Sequence, residues 1–289
     1  MKKSLAHLPL NKKQELKRLK SIILEKAPQT QFIILFGSYA RGDWVDDEYV
    51  ENHITYTYKS DFDILAITDD KKITQNESIW MRVENEYYGA FYSQRTPVDI
   101  ICHHIQEVNG KLKEGHYFFS DIKKEGVLLY NSGRYKLERR RTIDPARRLE
   151  IAVDDFEQWF ESANEFFDTT FEDVEKKRYK KAAFKLRQAT ERFYSAVILV
   201  ASGYKPKIHN IEKLSKIASR YYPEFIKTFP KKTDEEKRLF KLLKNADIDA
   251  RYKKGYSITK EELAYLAKRV EKLRDLVGKT CKAKIQSLK

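Results

Sequence analysis

The sequence has little cysteine, no cysteine–histidine cluster and no long apolar run. Cys102 and Cys281 are its only cysteines among 289 residues, too few for a disulfide framework. No CxxC pair indicates a structural zinc site. No stretch reaches the roughly 18 apolar residues of a membrane span, and the first 20 residues lack the apolar region of a secretory signal. These absences predict a soluble, cytoplasmic protein with no membrane partner.

Charge is plentiful but unevenly distributed. The formal net charge is +14, and residues 141–289 carry most of it. Residues 41–70 are acidic instead, with nine Asp or Glu against Arg41 and Lys59. An acidic pocket beside a basic body fits a cation site that faces a polyanion, or simply a solvated surface, and charge alone leaves both interpretations open.

The first 130 residues alternate between short apolar strands and amphipathic helices. Residues 31–38, 60–68 and 95–104 are rich in strand-forming residues and predict buried strands. Helical periodicity occurs in residues 11–26, before the first strand, and in residues 74–92, between the later two. This alternation is typical of an α/β or α+β domain.

From Asp144 onward the pattern is helical. Apolar residues recur every three or four positions in residues 145–168, 173–203, 208–220, 233–249 and 259–285. Short breaks between long amphipathic helices predict antiparallel neighbours in a bundle. The arginine run at 139–141 marks the linker. We therefore predict an α+β fold, with a mixed β-sheet and helices over residues 1–140 and an all-α bundle over residues 141–289.

Three carboxylates stand out in the predicted strands. Asp61 and Asp63 are two residues apart, so both point to one face of their strand. Asp99 lies among apolar residues of the third strand, where a buried carboxylate needs a partner. If the two strands are neighbours, one or two divalent cations could bridge all three side chains. Oxygen ligands of this kind favour Mg²⁺ or Mn²⁺ over zinc.

A second element follows the first predicted strand, at Gly37-Ser38. Glycine lets backbone N–H groups approach a ligand closely, and a serine at a helix start suits phosphate. Arg41 could add a charge-assisted contact. A phosphate cradle together with the three aspartates describes metal-assisted phosphoryl chemistry.

These segments resemble the minimal nucleotidyltransferase branch of the DNA polymerase β superfamily. FGSYARG, SDFDILAI and TPVDII match its pattern of Gly-Ser, Asp-x-Asp and a later Asp. The resemblance implies transfer of a nucleoside monophosphate from an NTP to a hydroxyl, with Asp61, Asp63 and Asp99 as catalytic residues that hold Mg²⁺. It implies that Asp99 also helps to activate the acceptor hydroxyl. Gly37 and Ser38 would hold the triphosphate.

The chain departs from that family in one segment. Twenty-two residues separate Ser38 from Asp61, about twice the spacing that the resemblance implies. Alternation at ITYTY predicts that residues 43–59 form an added hairpin over the rim of the site. Such a hairpin could contact the acceptor or obstruct the pocket.

The C-terminal half is similar to HEPN domains, helical bundles that accompany these transferases as a fusion or a paired gene. The matching segments are KAAFKLRQATERFYSAVILVASGYKPKIHNIEKL and DARYKKGY. Ribonuclease members carry Arg-x(4–6)-His, and neither Arg251 nor any histidine here completes that motif. The resemblance therefore implies a bundle that dimerises, or that lines a nucleotide or acceptor site. Glu191 and Arg192 are either a buried polar pair or part of a mixed helix face.

Two functional hypotheses follow. The first is a Mg²⁺-dependent nucleotidyltransferase that uses an NTP and a hydroxyl of a small molecule or protein, and that forms a homodimer through the helical domain. The second is a non-catalytic regulatory module that binds nucleotide or RNA and derives from a fused toxin–antitoxin pair. The basic helical half and the missing Arg/His motif support the second.

Overall fold

The chain divides into two units, Met1–Ile143 and Asp144–Lys289, close to the boundary that we predict at residues 140–141. The structure is a computed structural model that describes residues 1–289 except 3, 45, 52–53, 91–94, 142–143 and 207. In residues 46–51 and 54–59 it describes the backbone alone. The first unit contains a mixed sheet with helices and the second is helical, which confirms the predicted α+β class.

Within its described residues, the first unit contains six strands and the helices between them. In chain order the described elements are α1 (Leu10–Lys26), β1 (Thr30–Phe36), α2 (Gly37–Arg41), β2 (Asp46–Glu51), β3 (Ile54–Lys59), β4 (Phe62–Thr68), α3 (Lys71–Gln75), α4 (Glu77–Tyr88), β5 (Val98–His104), α5 (Ile105–Lys113), α6 (Tyr117–Glu125) and β6 (Val127–Asn131). The helix predicted over 74–92 is two helices, because Asn76 ends α3 and its side chain caps α4 by accepting from the Ile79 N–H. Residues 91 and 92 lie outside the described residues.

The main sheet has the strand order β5-β4-β1-β6. Strand β1 pairs antiparallel with β4 and β6, whereas β4 and β5 run parallel. Every residue of β4 is buried, as expected for a central strand covered on both faces. The continuous apolar run in the sequence indicates this buried position. Strands β4 and β5 lie side by side, which meets the condition for their aspartates to share a cation.

The insertion between β1 and β4 forms the expected hairpin. Strands β2 and β3 pair antiparallel from Asp46 opposite Lys59 to Glu51 opposite Ile54, in a sheet of their own. Residues 45 and 52–53 of the insertion lie outside the described residues. The hairpin is confirmed, and its position over the rim of the site stays a prediction.

The second unit is a helical bundle around one long buried helix. Its elements are α7 (Pro145–Glu175), α8 (Tyr179–Ser202), α9 (Ile211–Tyr221), a 3₁₀ turn (Pro223–Lys227), α10 (Asp234–Asn245), α11 (Asp249–Tyr252) and α12 (Lys260–Gln286). Helix α8 is buried along most of its length. Leu186, Phe193 and Val197 lie in the core that it shares with α9, α10 and α12. Capping boxes start α10, at Thr233 and Glu236, and α12, at Thr259 and Glu262.

The first helix of this unit is longer than the sequence suggests. We predict a break after residue 168, but α7 continues to Glu175. Threonine hydroxyls can compete with helical hydrogen bonds. Here those of Thr169 and Thr170 donate to the carbonyls of Glu165 and Phe166, one turn earlier, so the chain remains helical through both residues. The break falls instead at Lys177, which has φ 55.

Among the described helices, none is both long and apolar enough to cross a membrane.

Candidate functional site

The pairing of β4 with β5 brings two of the predicted carboxylates together. Asp63 is the register partner of Asp99 on the parallel neighbouring strand. Residues paired in this way project from the same face of a sheet. Asp61 precedes β4 by one residue and stands two positions before Asp63. Asp63 is 5% exposed, whereas Asp61 and Asp99 are half-buried, so the group lies at the edge of the interior with a path to solvent.

Gly37 packs directly against the Asp63 carboxylate. Phe36, the last residue of β1, pairs with Asp63, and the chain then turns sharply at Gly37, which has φ +72. A Cβ built on Gly37 would lie 2.0 Å from Asp63 Oδ2, so glycine is required here by space as well as by backbone conformation. The Gly-Ser element and the Asp-x-Asp element are therefore in contact.

The short helix α2 is held in place by its buried residues and by the N-terminal segment. Tyr39 is 1% exposed and stacks on the Trp44 ring with centroids 5.4 Å apart. The Tyr39 carbonyl is 2.8 Å from His7 Nε2, and the Ala40 carbonyl accepts from Lys2 Nζ at 3.1 Å. These contacts fix where Ser38 and Gly37 lie relative to β4.

A polar network fixes the start of β5 and hence the register of Asp99. Glu15 of α1 accepts hydrogen bonds from the Thr96 N–H at 2.8 Å and from the Tyr87 hydroxyl at 2.7 Å. The Tyr88 hydroxyl accepts from the Val98 N–H at 2.9 Å. Burial, followed by the hydrogen bond to Glu15, raises the pKa of Tyr87, so its hydroxyl keeps its proton and acts as a donor. Sequence reasoning missed Glu15, because its partners are more than 70 residues away.

The remaining predicted phosphate ligands lie at the surface beside α2. Ser38 is half-buried, and its carbonyl accepts from the N–H groups of Gly42 and Asp43 at 2.8 and 3.2 Å. Arg41 is exposed and its Nε donates to Asp43 Oδ2 at 3.0 Å. A phosphate that reaches Arg41 would compete with Asp43 for the guanidinium.

The three aspartates have the ligand chemistry for a hard divalent cation, but their side chains do not converge on one point. All three offer carboxylate oxygens, which Mg²⁺ and Mn²⁺ prefer. Across the described part of the chain, no three Asp, Glu, His or Cys side chains form a group that could hold a metal ion. The backbone register places Asp63 and Asp99 side by side, and a shared ion requires their side chains and that of Asp61 to turn toward one point.

The helical unit contains a buried ionic network of its own. Arg187 and Glu191, four residues apart on α8, are 2% and 6% exposed and form an ion pair. Glu191 Oε1 also lies 2.9 Å from His209 Nδ1, and Arg187 donates to the His209 carbonyl. Arg192 donates instead to Ser162 and Gln188. Of the two interpretations of Glu191 and Arg192, the buried polar pair is therefore wrong. The i, i+4 spacing of Arg187 and Glu191 was the available signal.

Comparison with known proteins finds a family match within the second unit. Residues 156–280 match the model of the HEPN domain family. No curated protein matches the chain. Among solved structures, the chain is similar to a nucleotidyltransferase-like protein from Exiguobacterium sibiricum, at 13% identity and a TM-score of 0.29, over 90% of this chain and 74% of that one. A likeness of that degree carries no argument about fold or function. The HEPN part of the resemblance is confirmed for residues 156–280, which match that family's model.

Proposed function

We propose that the first unit is a metal-dependent nucleotidyltransferase that transfers a nucleoside monophosphate from an NTP to a hydroxyl group. One observation carries the proposal: Asp63 is paired with Asp99, Asp61 stands on the same face, and Gly37 lies against Asp63. The sequence resemblance predicts all four residues independently. Gly-Ser, Asp-x-Asp and a later Asp are far apart in the chain, and the fold brings them to one end of β4.

We assign these residues the roles that the resemblance implies. Asp61, Asp63 and Asp99 would hold Mg²⁺, with Mn²⁺ as the alternative, and the bound cation would neutralise charge on the phosphates and orient the α-phosphate. The Asp99 carboxylate accepts the proton of the acceptor hydroxyl. The acceptor oxygen then bonds to the α-phosphorus, while the bond to the β-phosphate breaks and pyrophosphate leaves. Gly37 and Ser38 would hold the triphosphate, as the resemblance implies.

The test is label transfer with the full chain. NTPs labelled at the α-phosphate are incubated with Mg²⁺ or Mn²⁺ and with panels of small-molecule and protein hydroxyl acceptors. Asp63→Asn should reduce transfer by at least about 100-fold, because it removes a charge that the reaction requires. Asp69→Asn is the matched control, since Asp69 follows the opposite end of β4, and it should retain activity.

The binding-only alternative makes a different prediction in the same experiment. If no acceptor is labelled and Asp63→Asn leaves the affinities for NTP and metal unchanged, the catalytic role is refuted. If the protein instead binds RNA through its basic half, the affinity should fall steeply with salt. The homodimer through the helical domain remains a prediction that light scattering can check.

A further inference from the structure

The helical unit contains a pocket that the proposed transferase reaction does not use. Its volume is about 350 Å³, within the range of small-molecule sites. It lies between α7, α8 and the segment that follows α8. The side chains that matter for its chemistry are Trp159, Gln188, Glu191, Arg192, Lys205 and His209.

The acidic groups of this pocket already have partners. Glu191 is held between Arg187 and His209, as described above. Burial opposes ionisation of Glu191, but the hydrogen bonds and charges of those two partners outweigh it and lower its pKa. Asp247, also in the lining, accepts from Gln188 Nε2 at 2.9 Å and lies 3.7 Å from an Arg251 nitrogen. Both carboxylates are therefore engaged by other groups, and among the described residues neither forms an ion pair with Arg192 or Lys205, while the charge of Glu191 still acts on both cations.

Two cations in the same lining have no carboxylate partner among the described residues. Arg192 donates to the Ser162 hydroxyl at 3.1 Å and to Gln188 Oε1 at 2.6 Å, with its guanidinium 4.3 Å from the Phe166 ring centre. The Lys205 ammonium lies 5.0 Å from the Trp159 ring centre, and within the described part of the chain no oxygen accepts from it.

The environment of these two cations favours an anion. Burial lowers the pKa of both Arg192 and Lys205, and outweighs the opposing effect of the Glu191 carboxylate. The positive charge of Arg187 lowers the pKa of Arg192 further, and that of Arg192 lowers the pKa of Lys205. Two partly dehydrated like charges that repel each other are stabilised when a negative group enters between them.

His209 supplies a third donor to the same space. Its Nδ1 faces Glu191, so an Nδ1–H donated to that carboxylate fixes the ring and leaves Nε2 on the opposite side. The side chain is 75% exposed at the mouth of the pocket. Nε2 can therefore meet a ligand without breaking the network beneath it.

We propose that this pocket binds a phosphate monoester, with its phosphoryl group between Arg192 and Lys205 and its organic part against Trp159. A monoester carries close to two negative charges at pH 7, which matches the two cations. The planar guanidinium suits bidentate contact with phosphate. The pocket is larger than a bare phosphate needs, which leaves room for the organic group. The proposal does not depend on the transferase activity of the first unit.

The experiment is calorimetric titration of the full chain with three probes: ribose 5-phosphate, inorganic phosphate and dimethyl phosphate. Ribose 5-phosphate should bind most tightly, and dimethyl phosphate, a singly charged diester, at least about tenfold more weakly. Lys205→Gln and Arg192→Gln should each lower the affinity for ribose 5-phosphate at least about tenfold, the loss expected for one charge-assisted contact. Lys181→Gln is the matched control, because Lys181 is exposed on α8 and outside the lining, and it should leave the affinity unchanged.

Lys205 is in a loop after α8, so Lys205→Gln keeps the test valid even if Arg192→Gln unfolds. The proposal is overturned if ribose 5-phosphate shows no saturable binding at millimolar concentration. Equal affinity in the Lys205→Gln and Lys181→Gln variants would also overturn it, as would diester binding as tight as monoester binding. None of these results bears on label transfer by the first unit, so the two proposals fail separately.

Discussion

Replacing Gly37 by alanine tests whether the Gly-Ser turn and the Asp63 carboxylate share one site. A Cβ at position 37 would lie 2.0 Å from Asp63 Oδ2 and 2.8 Å from its Cγ. Alanine would also have to adopt φ +72. Gly133 is the matched control, since it has φ +81 but no heavy atom within 4 Å of the position of a Cβ.

The expected loss in free energy of unfolding has two contributions, the backbone strain and the steric clash. The left-handed backbone costs alanine about 1–2 kcal/mol at either position. The clash adds an overpacking cost of about 1–3 kcal/mol at position 37 alone. The free energy of unfolding should therefore fall by about 2–5 kcal/mol in Gly37→Ala and by about 1–2 kcal/mol in Gly133→Ala.

Urea denaturation of the full chain measures the difference. Trp44 and Trp80 are in the first unit and Trp159 is the third tryptophan of the chain. A Trp159→Phe background therefore makes the fluorescence report the first unit alone. The Asp63→Ala substitution should reduce the excess cost of Gly37→Ala, because the clashing atoms are removed. Equal denaturation midpoints for Gly37→Ala and Gly133→Ala, or no relief by Asp63→Ala, would refute the reasoning.

Two further predictions concern the pH dependence of the stability of the helical unit. Burial opposes ionisation of Glu212, but the hydrogen bonds and charges of Lys231 and Lys244 outweigh it and lower the pKa of Glu212 to about 2. The ionised Glu212 stabilises the fold by about 1–2 kcal/mol after solvent screening; this stabilisation is present above pH ~4.3 and is lost as the pH falls toward 2. Glu212→Gln should therefore reduce the loss of stability at acid pH in urea denaturation. Burial, then the charge of Asp154, raises the pKa of Asp155 to about 6; stability should fall as the pH rises from about 4 to 6. Asp155→Asn should therefore unfold at higher urea than the wild type at pH 7 but not at pH 3.5, and a constant difference across that range would contradict the assignment.

Much of the first unit could be predicted because its strands are continuous apolar runs. QFIILF and FDILAI have nearly every position buried as β1 and β4, and such runs indicate a central strand whatever its neighbours are. The even spacing of Asp61 and Asp63 fixed their common face by strand periodicity alone. The helix ends could not be predicted as well, because they depend on local hydrogen bonds of single side chains. Asn76 divides one predicted helix in two, and Thr169 and Thr170 lie within a helix that we predict to end at residue 168.

By itself the sequence determined the fold class, the two halves and the three candidate carboxylates, because apolar periodicity and residue type are local properties. Only the tertiary structure decided that Asp63 stands beside Asp99, that Gly37 touches Asp63, and that Glu191 pairs with Arg187 and His209 rather than with Arg192. These relations depend on strand register and on side chains from distant segments. Strand register is set by the packing of the whole sheet. The partner of a buried charge is set by the side chains that surround it and exclude water. Neither can be read from spacing along the chain.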